Sequence, residues 1–299
     1  MAGQPLPLLY NPAAGRGSAA RHITAVVTEF ARAGVTVVTT PSGSAGDIEA
    51  RFFELSEAGE SRILLAGGDG SVHEAVNGLM RSSTSAALGV IPLGTGNDFA
   101  KANNIPLIVA DAVAELAPRL TDNVDARAVD VGKLNDRFFA NGAGIGFDAK
   151  ISAIAGSIRL PIGALIYPLA VVRGLIDGVV TPDMSLRFND QKLSAPLTLA
   201  SFNIGQWVGG MFPIAPQARN DDGLLDVVYA DALSTREVVR LVPQLLRGTH
   251  LDNAKVHHAL AESCQVRASV DIPAHLDGEN QAPQRNFDIS ILPGALRIL

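Results

Sequence analysis

Short apolar runs alternate with helically spaced apolar residues over the first 120 positions. Runs at residues 6–10, 35–39, 62–66 and 88–92 predict strands. Helical spacing predicts helices over 18–32, 47–58, 71–80 and 108–117. In 18–32 the apolar positions are Ile23, Val26, Val27, Phe30 and Ala31. In 71–80 Val72, Ala75, Val76, Leu79 and Met80 share one face. Strand–helix alternation at this rhythm predicts an α/β fold, with an N-terminal parallel-sheet domain carrying helices on both faces.

The pattern changes near Thr121, and from Asp125 onward hairpins dominate. Asn135-Asp136 separates strands predicted over 129–134 and 137–141. Asn189-Asp190 separates 184–188 from 192–201. A helical stretch lies within 149–179. Ser234-Thr235-Arg236-Glu237 reads as a capping box, opening a helix with Val238, Leu241, Val242, Leu245 and Leu246 inward. Further strands are expected over 224–230, 264–270, 286–292 and 296–299. The prediction is a β-rich, β-sandwich-like second domain. The expected division is 1–122 and 123–299, with the last strand free to return to the first domain. No internal repeat is visible.

Composition narrows the function classes. The 299 residues are 47% hydrophobic and 18% charged, which excludes disordered and collagen-like chains. A net charge of −6 argues against nucleic acid as a partner. The lone Cys264 excludes an internal disulfide and a cysteine-cluster zinc site, and reads as a buried structural thiol. The apolar stretch from Pro161 to Val172 is broken by Pro161, Gly163 and Pro168, and falls short of the about 18 residues a membrane span needs. Residues 1–8 lack the features of a signal peptide. The expectation is a cytoplasmic protein without a transmembrane segment, peripheral at most to the inner membrane surface. A mean hydropathy of +0.22 fits a large core and apolar ligands.

Three loops share one design, a strand running into a glycine-rich turn and then a helix, which suits phosphate. The strongest is Ala66-Gly67-Gly68-Asp69-Gly70-Ser71. Its glycines let backbone amides approach a phosphate, and Ser71-Val72-His73-Glu74 reads as a capping box that starts the helix at Ser71. The second is Leu93-Gly94-Thr95-Gly96-Asn97-Asp98, where Thr95 offers a hydroxyl and Asn97 or Asp98 offers a helix cap. The third is Asn11-Pro12-Ala13-Ala14-Gly15-Arg16-Gly17-Ser18. Its glycine spacing formally fits a dinucleotide fingerprint, but the second strand ends in Thr39-Thr40 with no acid for a ribose. Arg16 is better suited to phosphate oxygens.

Two acidic turns follow in the second half. Asn220-Asp221-Asp222-Gly223 is a turn or a magnesium position. Leu276-Asp277-Gly278-Glu279 is a turn with solvated acids, or it holds a base for an alcohol.

Together these residues resemble the diacylglycerol kinase catalytic family, in its soluble bacterial lipid kinase branch. The motifs run in family order: Asn11-Pro12-Ala13-Ala14-Gly15, Gly67-Gly68-Asp69-Gly70-Ser71, and Pro92 through Ala100. The second half adds Asn141 through Asp148, then Gly209-Gly210 through Ala218 to Asp222-Gly223-Leu224-Leu225-Asp226, and finally Leu276 through Glu279. The resemblance implies a nucleotide-binding domain followed by a lipid-substrate domain. It implies ATP contacts from Asn11, Pro12, Ala13, Ala14, Gly15 and Arg16, from Thr40, from Gly67, Gly68, Asp69, Gly70, Ser71, Val72 and His73, and from Thr95. It implies Mg²⁺ held by Asp222, with main-chain oxygens of Arg219 and Leu224. Glu279 is implied as the proton acceptor, with Asp277 and Asp98 as further acids of the catalytic site. Ser71 stands where the family commonly has Thr, and His73 where it commonly has Asn.

The implied activity is transfer of the ATP γ-phosphate to a lipid hydroxyl, with diacylglycerol as the expected acceptor. The sequence leaves the lipid and a homodimer open. The alternatives are an NAD kinase, a non-catalytic lipid-binding relative, and an oxidoreductase using the 15–20 fingerprint. The apolar stretch 151–180, bearing Arg159 and Arg173, reads as a core helix or as an element that docks on a bilayer.

Overall fold

The computed structural model describes residues 5–17, 19–122, 124–158 and 165–299. Two compact units divide it. One is Met1–Val129 with Gly294–Leu299, the other Asp130–Pro293. The division falls after Val129 rather than after 122. Asn123, the first residue of the expected second domain, lies outside the described residues.

The first unit alternates strands and helices. They run β1 (Leu6–Tyr10), α1 (Ala14–Gly17), α2 (Ala19–Arg32), β2 (Val37–Pro41), α3 (Asp47–Glu57), β3 (Arg62–Gly67), α4 (Asp69–Arg81), β4 (Ala87–Pro92), α5 (Asp98–Ala102) and α6 (Val109–Thr121). Within this unit β1 pairs in parallel with β2 and β3, and β3 pairs in parallel with β4. The carboxyl end of the chain adds Arg297 and Ile298 in parallel against Ala87 and Leu88. β3 and β4 are buried along almost their whole length, as strands covered on both faces must be. Leu8, Leu64 and Ile91 pack with Phe30 of α2 and Leu116 of α6. Side chains alternate along a strand, so Ile63 and Leu65 point to the opposite face, where α3 and α4 contact β3.

The second unit is built from β5 (Arg127–Leu134, entering after Val129), β6 (Arg137–Phe139), β7 (Gly142–Gly146), α7 (Phe147–Ser157), α8 (Ile166–Ile176), β8 (Asp183–Phe188), β9 (Gln191–Asn203), β10 (Leu225–Asp231), α9 (Thr235–Arg247), β11 (Val256–Ala261), β12 (Ser263–Leu276) and β13 (Glu279–Ile298, leaving at Gly294). The ladders described in it are antiparallel, whereas those among β1–β4 are parallel. The core gathers Phe139, Ile145, Leu186, Phe202, Val266 and Phe287. Cys264 belongs to it, and burial pushes its thiol up to about 12. The Asn189-Asp190 hairpin forms with φ of 48° and 60°, the left-handed pair a two-residue turn requires.

Some expected details differ. The strands predicted over 286–292 and 296–299 are one strand, β13. The predicted capping box at Ser234 and Glu237 is present, but Leu246 is exposed rather than inward. The stretch 151–180 divides into α7 and α8, which pack together through Ala170 and Gly174. Leu165, Leu169, Val172 and Ile176 of the second stretch stay exposed. Arg159, Pro161 and Gly163 lie outside the described residues. Among the described residues no helix is long and apolar enough to cross a membrane.

Two long-range bonds tie α3 to α4. The Glu74 carboxylate on α4 accepts from Gly46 N–H at 3.0 Å and Ile48 N–H at 3.1 Å, closing the amino end of α3. Gly46 itself supplies no side-chain cap there. Glu74→Ala is expected to lower stability by about 0.5–2 kcal/mol, the range for a lost helix cap, read as a drop in the urea midpoint at unchanged slope.

Candidate active site

The first unit's strand order is β2-β1-β3-β4, so the chain direction across the sheet reverses between β1 and β3. Open parallel sheets bind ligands beyond the carboxyl ends of the strands at such a reversal. The loops that leave β1 and β3 there are residues 11–15 and 67–73. The loop leaving β4 carries Thr95, which is exposed. Thr40 pairs with Leu9 at the same end. The structure therefore gathers Asn11, Pro12, Ala13, Ala14, Gly15, Thr40, the 67–73 loop, Thr95 and Asp98 at one end of one sheet. Arg16 is described in its backbone only, and Ser18 lies outside the described residues.

Local bonds shape these loops. Asn11 Oδ1 accepts from Ala13 N–H at 2.9 Å, and Leu93 N–H donates to Gly67 O at 2.8 Å. The loops that leave β3 and β4 meet backbone to backbone. A Cβ on Gly68 would lie 2.8 Å from Gly94 Cα, and one on Gly94 would lie 2.5 Å from Gly68 Cα. Asn97 clamps Gly94 from the other side, accepting from its N–H at 2.9 Å and donating to its carbonyl at 3.1 Å. Asp69 Oδ1 accepts from Phe99 N–H at 3.2 Å, tying the 67–73 loop to the start of α5. Asp98, in that first turn, is buried and faces Lys101 at 3.6 Å.

The helix after the strongest loop starts at Asp69, not Ser71. Gly68 is its N-cap, and no side chain caps it. The expected Ser71–Glu74 box is absent because Glu74 is engaged with α3 and Ser71 is buried beside Gly67. An uncapped first turn leaves amide donors at the glycine loop, the requirement for holding an anion. His73 is buried. Its Nε2 lies 3.4 Å from Asn77 Nδ2, and Asn77 also donates to the His73 carbonyl at 2.9 Å.

On the second unit, Asp222 is exposed and its Oδ1 accepts from Leu224 N–H at 3.0 Å. Buried Asp130 holds the same loop, accepting from Gly223 N–H at 2.8 Å. Arg219 pairs with Asp221 at 3.2 Å. Just beyond, burial pushes the Asp226 carboxyl up, a rise that His258 at 2.6 Å opposes and the Asp222 charge reinforces. Among the described residues no cluster of three or more His, Cys, Asp or Glu side chains could hold a metal. What the 219–224 loop offers is two exposed carboxylates, of which, among the described residues, Asp221 is paired with Arg219 and Asp222 is not, and main-chain oxygens. That all-oxygen set fits a hard cation such as Mg²⁺, which keeps several waters of its own.

Asp277 and Gly278 form the tight turn between β12 and β13, with φ of 52° and 89°. Asp277 is not a solvated acid. It accepts from the amides of Ala140, Asn141 and Gly142 at 3.0, 2.8 and 3.1 Å. Glu279, the first residue of β13, is exposed. Two polar residues behind this turn carry no role in the sequence reading. They are His275 and Asp148, joined at 3.1 Å. Their only signals were a histidine two residues before Asp277 and an acid straight after a glycine-rich strand.

Comparison with known proteins shows the family. The family described as "Diacylglycerol kinase catalytic domain" matches residues 5–134, and "YegS C-terminal NAD kinase beta sandwich-like domain" matches residues 142–299. A diacylglycerol kinase of Mycobacterium tuberculosis H37Rv is 30% identical, covering 97% of this chain and 93% of that protein. One of Bacillus subtilis is 29% identical over 91% and 88%. A crystal structure of a diacylglycerol kinase from Bacillus anthracis superposes with a TM-score of 0.73, covering 98% and 96% at 22% identity, and shares the fold. The chain belongs to the diacylglycerol kinase family of lipid kinases.

Proposed function

We propose that this chain is an ATP- and Mg²⁺-dependent lipid kinase that converts diacylglycerol to phosphatidic acid. The observation that carries the reading is the gathering of three glycine-rich loops at one sheet end, with an uncapped helix behind the strongest. Curated relatives spanning nearly the whole chain, named diacylglycerol kinase, support the acceptor. The first unit is the nucleotide-binding domain in this reading, and the second is the lipid-substrate domain.

The residues take the following roles. Amides of the 67–73 loop and the Thr95 hydroxyl hold phosphate oxygens. Residues 11–16 and Thr40 line the nucleotide. Glu279 accepts the proton of the lipid hydroxyl as its oxygen attacks the γ-phosphorus and the bond to the β-phosphate oxygen breaks. Asp277, occupied by three amides, positions Glu279 rather than exchanging protons itself. Asp69 ties the 67–73 loop to α5, and Asp98 is a further acid of the catalytic site. Asp222 with the carbonyls of Arg219 and Leu224 would hold Mg²⁺. Bound Mg²⁺ supplies charge neutralisation at phosphate oxygens. Catalysis of this class rests on positioning and electrostatics.

Labelled ATP should transfer label to diacylglycerol in mixed micelles. Label entering NAD in a parallel tube, or entering no lipid while ATP binds, would overturn the reading. Glu279→Ala and Asp222→Ala should each lose about 10²–10⁴ in turnover, the range for a general base, with the circular dichroism spectrum unchanged. Activity within a few fold of the parent removes that residue from its role.

Gly94→Ala should cost about 10² in kcat/KM for ATP, the scale of an ångström misplacement, while KM for lipid holds. Equal losses toward ATP and lipid would point to general unfolding instead.

The enzyme is proposed to act peripherally at the membrane surface. The stripe Leu165, Leu169, Val172 and Ile176 on α8 is exposed beside Arg173, a pairing of apolar area and positive charge that suits anionic lipid. Liposome sedimentation should show binding that increases with anionic lipid and weakens in Ile176→Asp. No binding to either liposome type sinks this part.

A further inference from the structure

The turn that presents Glu279 is tied down at both backbone N–H groups of its two corner residues and at the Gly278 carbonyl. Asp277 N–H donates to Gly142 O at 2.8 Å, and the Asp277 carboxylate receives three amides of the 140–142 segment. Gly278 O accepts from Ser152 Oγ of α7 at 2.9 Å. Gly278 N–H donates to His275 Nδ1 at 3.2 Å. On its other side, His275 Nε2 meets Asp148 Oδ2 at 3.1 Å. Asp148 and Ser152 are four residues apart on α7 and so share a face.

These contacts fix a protonation state. A backbone N–H can only donate, so His275 Nδ1 must be bare. A carboxylate can only accept, so Nε2 must carry the proton. The pair passes the glycine strand β7 because position 144 has no side chain. A Cβ on Gly144 would overlap both Asp148 Oδ2 and His275 Nε2.

From this geometry we infer that Asp148 and His275 are positioning residues for the kinase reaction: Asp148 selects the imidazole tautomer whose bare nitrogen holds the Gly278 amide, and so holds Glu279. This rests on the lipid kinase reading. Protonation of Nδ1 would set two donors face to face and release the Gly278 amide. Turnover therefore needs His275 neutral.

The charged groups facing the ring are Asp148 from α7 and Asp277 from the adjoining turn. β7 alongside contributes only glycine, alanine and isoleucine, and Lys150 of α7 turns away to the carbonyls of Gly174 and Gly178. Burial alone would push the His275 pKa down. The Asp148 charge, its hydrogen bond and Asp277 outweigh burial, so the ring titrates above its ordinary 6.5. The sign follows: kcat climbs as pH rises through that raised value.

The test pairs spectroscopy with kinetics. In the full-length wild-type protein, the His275 ring nitrogens and the Gly278 amide should titrate together by NMR, at the pH of the acid limb of kcat. Asp148→Asn removes the charge and should move that limb down by about one pH unit. His275→Gln keeps a donor for Asp148 but lacks the bare acceptor. It should lose about 10–100-fold in kcat with KM for ATP unmoved. His275→Asn places an oxygen near the Nδ1 position, and should recover most of that loss while flattening the acid limb. A limb that stays put in Asp148→Asn, equal kcat in the two His275 variants, or a Gly278 amide that ignores His275 titration would each overturn the inference. Wild-type protein that phosphorylates no lipid would overturn the kinase reading and the catalytic role together. The NMR titration then still reports whether the relay exists, so the two failures are distinguishable.

Discussion

Two α-carbons without side chains set the geometry of the first unit. Gly68 and Gly94 approach so closely that a single added methyl at either would fall within 3 Å of the other's Cα. That approach lets two strand-to-helix loops lie side by side. Everything adjacent maintains it. Leu93 is tethered to Gly67, Asn97 grips Gly94 at both peptide groups, and Asp69 reaches the first turn of α5. The hydrophobic packing below, with Leu64 and Ile91 buried beneath α2 and α6, keeps β3 and β4 adjacent so that the loops can meet. Remove the close approach and the packed sheet would survive, but the two loops could no longer meet.

Local chemistry in the sequence announced much of this. Glycine loops after apolar runs identified three of the elements at the sheet end. The hairpins at Asn189-Asp190 and Asp277-Gly278 carry the dipeptides that left-handed turns require, and both form. What escaped was anything decided by distant partners. The residues of β7 are mostly glycine, and the sequence pattern assigns them no element. They form a strand because β9 and β12 flank them, and because Asp148 and His275 need the space a side chain would fill. The Ser71–Glu74 spacing fits a capping box, yet Glu74 closes a different helix whose amides lie more than 25 residues away in sequence. A four-residue window cannot register such a competitor.

The same limit applies to the acids, which the fold sorts by how many amides each one holds. Asp222 and Asp277 each precede glycine and look alike in sequence. In the structure Asp277 is occupied by three amides, whereas Asp222 accepts one and stays exposed. Asp69 and Asp130 likewise hold loop amides in place. An anionic carboxylate bound by several amides has its lone pairs directed inward, which suits it to hold structure. An exposed carboxylate on a fixed backbone is suited to a cation or a proton. Asp222 and Glu279 are the ones left so placed. The chain thus uses Asp69, Asp130 and Asp277 to immobilise backbone, and leaves Asp222 and Glu279 exposed on turns that are themselves held in place.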